Sequence, residues 1–442
     1  MQVSSDARAS IRMQDGRYLL FPESGVSKSR IFVGMHPFNI MAKTIGAVCN
    51  LNCTYCYYLE KENIYPADPN RWAMSERVLE TYIAQYIYTC RTPEVQFAWH
   101  GGEPVMRGID FFRKIIELQK KHGGGRIIEN SIQTNGTTLT EEWCRFFNDH
   151  HFLVGLSVDG PQHCHDHYRT YKSGLGSYKK CMEGLELLVK HKVDFNTLTV
   201  VNDYNAKYPL EIYRFLKSIG SRYMQFLPVV EWIDPAAGPG ELKILPPGSG
   251  KNAEVTAWTV DPLDYGTFLV RIFDEWVRLD VGDFFVLTFD SILANWMRVE
   301  PGICVYAETC GNSGVMEYNG DVYSCDHYVF PAYLLGNITE KSLSTLMNDT
   351  RQERFGEEKK SLLPAYCKKC EFLDLCNGEC PKHRIIKTPD GEPGLNHLCA
   401  GFKKFFRHVE PYFDFMATEL QHGRSAVNVK KWASAPIIKR RK

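Results

Sequence analysis

Residues Cys49–Tyr58 read CNLNCTYCYY, and they place Cys49, Cys53 and Cys56 in a C-x3-C-x2-C pattern. Thiolates are soft ligands that hold iron–sulfur clusters, and a four-iron cluster normally takes four of them. With three, one iron keeps an open position where a small molecule can bind, which makes the triad a candidate reaction centre. The competing reading is a structural zinc knuckle with a distant fourth ligand, although zinc cysteines more often come as two C-x2-C pairs.

The residues around the triad repeat a pattern. Strand-like apolar runs ending at Thr44, Trp99, Thr134, Val158, Val201 and Val230 alternate with helical stretches over Glu76–Tyr88, Ile109–His122, Glu141–His150, Ser177–His191 and Tyr208–Ile219. Such alternation predicts a parallel α/β architecture. Six repeats predict a partial (β/α)6 TIM-like barrel, whose chemistry sits at the C-terminal ends of its strands. Those ends carry the triad, then His100-Gly101-Gly102-Glu103-Pro104, Gln133-Thr134-Asn135-Gly136, Ser157-Val158-Asp159-Gly160-Pro161 and Asn202-Asp203. Paired glycines admit a ligand close to the backbone, and a carboxylate beside them can receive an ammonium group. Each motif alone is an ordinary turn, and it is their recurrence at successive strand ends that favours a ligand cradle.

The whole chain fits an enzyme of some size. Its 442 residues carry zero formal charge and are 44% hydrophobic, which points to neither nucleic acid nor an acidic partner. No apolar run reaches the roughly 18 residues needed to span a bilayer, and no secretion signal is evident. A soluble, cytoplasmic protein is expected, so its 15 cysteines should be reduced. Four scattered ones, Cys90, Cys144, Cys164 and Cys181, read as small buried hydrophobes. Eight crowd the second half: Cys304, Cys310 and Cys325, then Cys367, Cys370, Cys376 and Cys380 as C-x2-C-x5-C-x3-C, and finally Cys399. Eight thiols suffice for two four-cysteine sites, and spacing alone leaves zinc and iron–sulfur open. The expected organisation is an N-terminal extension (1–35), the barrel with a Pro/Gly-rich linker (36–262), a cysteine-rich domain (263–420) and a basic tail (421–442).

A C-x3-C-x2-C motif after the first strand with GGE after the second resembles the radical S-adenosylmethionine (SAM) superfamily. The resemblance implies a 4Fe–4S cluster on Cys49, Cys53 and Cys56, SAM chelating its open iron, and a 5′-deoxyadenosyl radical. It also implies SAM contacts from Gly101, Gly102 and Glu103 at the methionine amine, from Ser157 and Arg169 at the ribose and carboxylate, and from Tyr55 and Val230 along the adenine. The later cysteines, with CGNSGVMEYNGDVYSCD over 310–326, resemble the SPASM extension of radical SAM peptide-modifying enzymes. That likeness implies two auxiliary 4Fe–4S clusters, three clusters in all. It assigns Cys304, Cys310, Cys325 and Cys380 to one auxiliary site and Cys367, Cys370, Cys376 and Cys399 to the other.

Within the superfamily the sequence is similar to the anaerobic sulfatase-maturating enzymes from about Ile40 to Phe415, through HGGEP, NSIQTNGT, FLVGLSVDGP, YSCDHYV and LGNI. This implies oxidation of a cysteine or serine in a C/S-x-P/A-x-R segment of an unfolded sulfatase to Cα-formylglycine, after hydrogen abstraction from Cβ. It further implies that Asp326 takes the proton and that a carrier such as flavodoxin or ferredoxin supplies electrons. The alternatives are a SPASM maturase forming a thioether or carbon–carbon crosslink on a ribosomal peptide, and a non-catalytic zinc- or cluster-binding protein. His100 stands where other members often have Gln.

Overall fold

The structure, a computed structural model, describes residues 38–64, 72–234, 244–245 and 254–435. The N-terminal extension, most of the 235–251 loop and the last basic residues lie outside these.

Six parallel strands follow in sequence order: β1 (Asn39–Lys43), β2 (Glu94–His100), β3 (Ile127–Thr134), β4 (Phe152–Ser157), β5 (Phe195–Val201) and β6 (Tyr223–Pro228). Between them run α1 (Glu76–Thr89), α2 (Ile109–His122), α3 (Glu141–Asp149), α4 (Gln162–Tyr168), α5 (Tyr178–Lys190) and α6 (Pro209–Ser218). Local chemistry sets the helix starts. The Ser75 side chain accepts the Val78 N–H to cap α1, and that of Thr140 accepts the Trp143 N–H to cap α3, each satisfying an orphan donor of the first turn. The helix α1 then buries Val78, Leu79, Tyr82, Ile83, Tyr86 and Ile87, a face with the three-and-four spacing of an amphipathic helix.

The sheet is larger than the six predicted strands. Short strands β7 (Trp232–Ile233) and β8 (Glu254–Val255) pair with each other within what reads as a linker. Strand β9 (Phe285–Val286) extends the sheet beyond β6. On the other edge, β10 (Ser313–Met316) pairs in parallel with β1, followed antiparallel by β11 (Asp321–Tyr323) and β12 (Leu334–Asn337). The cysteine-rich half therefore continues the barrel sheet rather than standing apart from it.

Two apolar cores flank this sheet. One joins α1–α3 to β1–β4 and includes Met316, Val322 and Leu335 of the added strands. The other joins β5, β6 and α6 to the helices Pro262–Leu279 and Cys399–Gln421, which cross closely where Gly266 faces Gly401. Part of the 421–442 segment, expected to be a basic tail, forms a helix: Val429–Ser434 seats Val429 and Ala433, both fully buried, in this second core. Its apolar spacing outweighs the flanking basic residues.

Candidate functional site

The triad loop leaves β1 and is tied to three other strand ends. Gly102 N–H donates to the Gly46 carbonyl (2.7 Å) and Glu103 N–H to that of Val48 (2.9 Å). The Asn135 amide donates to Asn50 (2.9 Å) and approaches the Cys49 sulfur at 3.8 Å. Beyond β4, Asn52 and Thr54 donate to the carbonyls of Thr170 and Tyr168 (2.8 and 3.1 Å). Glycine is required in this contact: a Cβ on Gly102 would fall 2.0 Å from the Val48 oxygen. Burial pushes the Cys49 and Cys53 thiols up to about 12, with neighbouring thiols of the triad adding to the effect. Such thiols become thiolates only when a metal replaces their protons.

The residues expected to hold SAM gather around this loop. Glu103 is 1% exposed, and its carboxylate accepts the Val105 N–H (3.1 Å), the Thr134 hydroxyl (2.7 Å) and the Asn135 N–H (2.7 Å). It thus ties the β2 end to the β3 end. Burial nonetheless pushes it up to about 7. Three of about four acceptor positions are taken, leaving one for a donor from outside the chain. Gly101 begins the same turn, with the ring nitrogen Nδ1 of His100 beside its N–H (2.8 Å). Ser157 accepts from Gln133 (2.9 Å), and Val230 is fully buried just past β6.

Tyr55 and Arg169 are drawn together by a residue that sequence reading placed at a strand end without assigning it a role. Asp159, fully buried, accepts the Tyr55 hydroxyl, lies 3.0 Å from Arg169 Nε and accepts the Val200 N–H (3.0 Å). Burial alone would lower Arg169, yet Asp159 and Tyr55 hold it above its ordinary value. The Arg169 charge in turn opposes the upward push of burial on Cys53.

Asp326 is no exposed turn residue. The pairing of β10 on β1 carries the β11 end, and with it Cys325 and Asp326, over the C-terminal end of β1. There the Asp326 carboxylate lies 2.8 Å from Lys43 Nζ and accepts the Tyr57 hydroxyl. Lys43 is fully buried on β1, 3.3 Å from His100 Nδ1 and 4.1 Å from the centre of the Tyr58 ring. Burial would raise Asp326, but Lys43, His100 and His327 hold it well below the usual carboxylate range. Burial and Lys43 push His100 down to about 4, so it is neutral at ordinary pH. Lys43 was missed in the sequence, where a charged residue ending an apolar strand one turn before the triad was the available signal.

Beside this pair, Glu317 accepts the Tyr58 hydroxyl through both oxygens (2.8 and 2.7 Å). Lys61 lies 3.4 Å over the Phe330 ring, and Lys382 pairs with Glu231. The barrel and the cysteine-rich half thus meet across buried charges that compensate one another, as charges out of water require.

The eight later cysteines form two neighbourhoods. Burial raises the Cys325 thiol, with Cys304 and Cys380 adding to it, and burial then Cys304 raise Cys310 to about 11. Burial and then Cys399 and Cys370 raise Cys367 to about 11, while Cys376 rises to about 12 through burial, Glu379, Cys399 and Cys367. Cys380, though only four residues from Cys376, acts on Cys325 and feels Cys304. Cys144, Cys164 and Cys181 lie buried, and Cys90 is half-buried. Among the described residues, no three His, Cys, Asp or Glu side chains converge as a single metal ion would require.

Known proteins share these features. The Radical SAM superfamily profile matches residues 44–216 and that of an iron–sulfur cluster-binding domain, SPASM, matches 308–371. The serine-type anaerobic sulfatase-maturating enzyme of Bacteroides thetaiotaomicron is 52% identical over 395 residues, 89% of this chain and 95% of that one. The cysteine-type enzyme of Clostridium novyi is 34% identical over 391 residues, 88% of this chain and 99% of that one. The solved structure of native anSMEcpe with bound AdoMet and the Kp18Cys peptide superposes with a TM-score of 0.75 at 31% identity, over 87% of this chain and 99% of that one. Streptococcus suis SuiB, at 14% identity and a TM-score of 0.53 over 81% of this chain and 76% of its own, shares the fold alone. Matched along nearly the full length of relatives of both types, the chain belongs to the anaerobic sulfatase-maturating enzymes of the radical SAM superfamily.

Proposed function

We propose that this protein oxidises a serine or cysteine of a sulfatase segment to Cα-formylglycine, by radical chemistry begun at the Cys49–Cys53–Cys56 triad. The observation that carries the reading is the Lys43–Asp326 pair, which strand pairing sets at the mouth of the barrel beside the triad loop. The three triad thiols would hold a 4Fe–4S cluster with one iron left for SAM. Buried thiols set close enough to raise one another are the soft donor set that an iron–sulfur cluster takes. Cys304, Cys310, Cys325 and Cys380 would hold one auxiliary cluster, and Cys367, Cys370, Cys376 and Cys399 the other. When bound, SAM and its cluster supply the 5′-deoxyadenosyl radical, and the auxiliary clusters supply one-electron acceptors.

The chain's own residues do the rest. Gly101 and Gly102 let the methionine end of SAM approach the backbone, and Glu103 offers its remaining acceptor position to the amine. Ser157 and Arg169 would hold the ribose and carboxylate, and Tyr55 and Val230 would lie along the adenine. Asp326 takes the proton of the substrate hydroxyl or thiol. A carboxylate held this low is a weak base, but loss of the Cβ hydrogen acidifies the neighbouring O–H or S–H, so a weak base suffices. Lys43 keeps Asp326 ionised and aimed, and neutral His100 lines the same wall as a donor or acceptor.

Serine is the favoured target, given 52% identity to a serine-type relative against 34% to a cysteine-type one. A flavodoxin or ferredoxin of the cytoplasm would deliver the electrons. Among the described residues, no helix is long and apolar enough to cross a membrane. The test is anaerobic incubation of the reconstituted protein with SAM and peptides carrying S-x-P-x-R or C-x-P-x-R, read by mass spectrometry. Formylglycine in wild type and its loss in Asp326→Asn, with SAM cleavage retained, are expected. Formylglycine at the wild-type rate in Asp326→Asn would remove that residue from the role.

A further inference from the structure

Two cations lie against the later cysteines, Lys359 buried and Arg384 half-buried, and among the described residues neither forms an ion pair with a carboxylate. Lys359, on the helix Thr350–Ser361, is 1% exposed. Its ammonium donates to three backbone carbonyls, those of Cys304, Val305 (3.0 Å) and Ala307. Arg384 donates to the carbonyls of Lys359 (2.6 Å), Asn377 (3.0 Å) and Gly378 (3.1 Å). Each hydrogen bond is of the charge-assisted kind, but a carbonyl carries no countercharge. One buried acid, Glu379, acts on both from a distance, but its carboxylate is held by Asn396 (2.8 Å) and His383 (2.8 Å). A cation out of water without an ion-pair partner is costly, and a single shared carboxylate leaves one of the two positive charges unbalanced.

The other groups around them are cysteines, which become thiolates once a cluster replaces their protons. Lys359 interacts with Cys304, Cys310 and Cys380 and then Glu379, whereas Arg384 interacts with Cys380 of the first group, with Glu379, and with Cys367 and Cys376 of the second. The two cations are also chained, Arg384 to the Lys359 carbonyl. They are fixed in place besides. Gln352 on the same helix donates to the Gly311 and Ser324 carbonyls (2.6 and 3.0 Å), and a Cβ on Gly356 would fall 2.3 Å from the Cys310 oxygen.

We propose that Lys359 and Arg384 are positioning residues that supply the permanent countercharge of the auxiliary clusters, Lys359 to the first and Arg384 to both, and so raise their reduction potentials. This rests on the cluster assignments above. The step it serves balances as follows: the substrate Cβ radical gives up one electron and its O–H or S–H proton, leaving an aldehyde or thioaldehyde. The proton goes to Asp326, and the electron reduces one [4Fe–4S]2+ core to [4Fe–4S]+. A fixed cation stabilises the reduced, more negative cluster over the oxidised one, and low dielectric strengthens the effect.

The test is a potentiometric titration followed by electron paramagnetic resonance on anaerobically reconstituted full-length protein, with iron content measured alongside. Lys359→Gln keeps a donor for the carbonyls and removes the charge. It is expected to retain wild-type iron and to shift the oxidised-to-reduced ratio of one auxiliary couple at least tenfold toward oxidised at a fixed potential, about 59 mV for one electron. The other couple should stay nearly unmoved. Arg384→Gln should shift both, and Lys359→Arg neither. Full iron with both couples unmoved in Lys359→Gln would overturn the proposal. So would loss of iron in Lys359→Gln with Lys359→Arg intact, which would make the role purely structural. Zinc in place of iron in the wild type would instead overturn the cluster assignments themselves.

Discussion

Gly102→Ala is the sharpest perturbation the structure offers. The added Cβ would sit 2.0 Å from the Val48 oxygen and 2.5 Å from its carbonyl carbon, backbone atoms that cannot rotate away. Restoring even a tight contact requires the triad loop to retreat by about 1 Å. That movement strains the hydrogen bonds from Gly102 to Gly46 and from Glu103 to Val48. Two such bonds at about 1 kcal/mol each and overpacking of about 1–3 kcal/mol place the local cost near 3–5 kcal/mol. A reacting centre displaced by about 1 Å can lose about 100-fold in rate. Reconstituted Gly102→Ala protein is therefore expected to hold about eight of about twelve irons, or to hold all of them and cleave SAM at least about 100-fold more slowly. Gly101→Ala is the control, because its Cβ would meet the Ile45 side chain at 3.3 Å and the Gly46 oxygen no closer than 3.5 Å, and a few-fold effect is expected. Iron content and 5′-deoxyadenosine yield decide the matter. Full iron with SAM cleavage close to wild type in Gly102→Ala would refute the close-approach reasoning.

Glu103 makes a pH prediction with two opposite signs. Its folded value of about 7 lies above its ordinary one, so its contribution to stability of the cofactor-free chain is full in acid and is lost as pH rises through about 7. Affinity for the SAM amine needs the ionised form, so it should instead fall by up to about tenfold per unit below pH 7. In Glu103→Gln both trends should flatten, as read by thermal melts and equilibrium binding. Lys43→Met leaves Asp326 buried beside one lost partner, at a cost of about 3–5 kcal/mol. It should depress formylglycine formation well beyond its effect on SAM cleavage, and equal losses in both would assign Lys43 to folding alone. Phe273→Ala removes a fully buried ring packed on Trp276, Phe289, Phe405, Tyr412 and Phe413, for about 3–5 kcal/mol in denaturant titration.

The sequence carries the features whose signals are local. The triad spacing, the GG and TNG turns and the six strand ends can all be read within a few residues, and the fold follows them. What it hides is set by pairing between distant segments. Lys43 and Asp326 stand about 280 residues apart, and only the β1–β10 ladder joins them. Asp159 is visible at its strand end, but its grip on Tyr55 and Arg169 depends on how two loops fold back. The four-residue run Ser313–Met316 is too short to distinguish a strand of the barrel sheet from an isolated hairpin. The helix Val429–Ser434 is obscured by the basic residues around it, because composition weighs charges that the folded chain simply turns outward.

The position of β1 explains how one sheet serves two kinds of chemistry. On one side it pairs with β2, with Lys43 opposite His100, and so holds the triad loop against the GGE turn. On the other it pairs with β10, with Ala42 opposite Met316, and so brings Asp326 to Lys43. Side chains alternate along a strand, so a one-residue slip would turn Lys43 to the opposite face and separate it from Asp326. Ile40 and Ala42, 1% and 0% exposed on alternate positions, resist that slip because it would move them out of the core. The apolar residues of β1 thus fix the register that places Asp326 beside the triad loop, so core packing and the geometry of the candidate site constrain the same five positions.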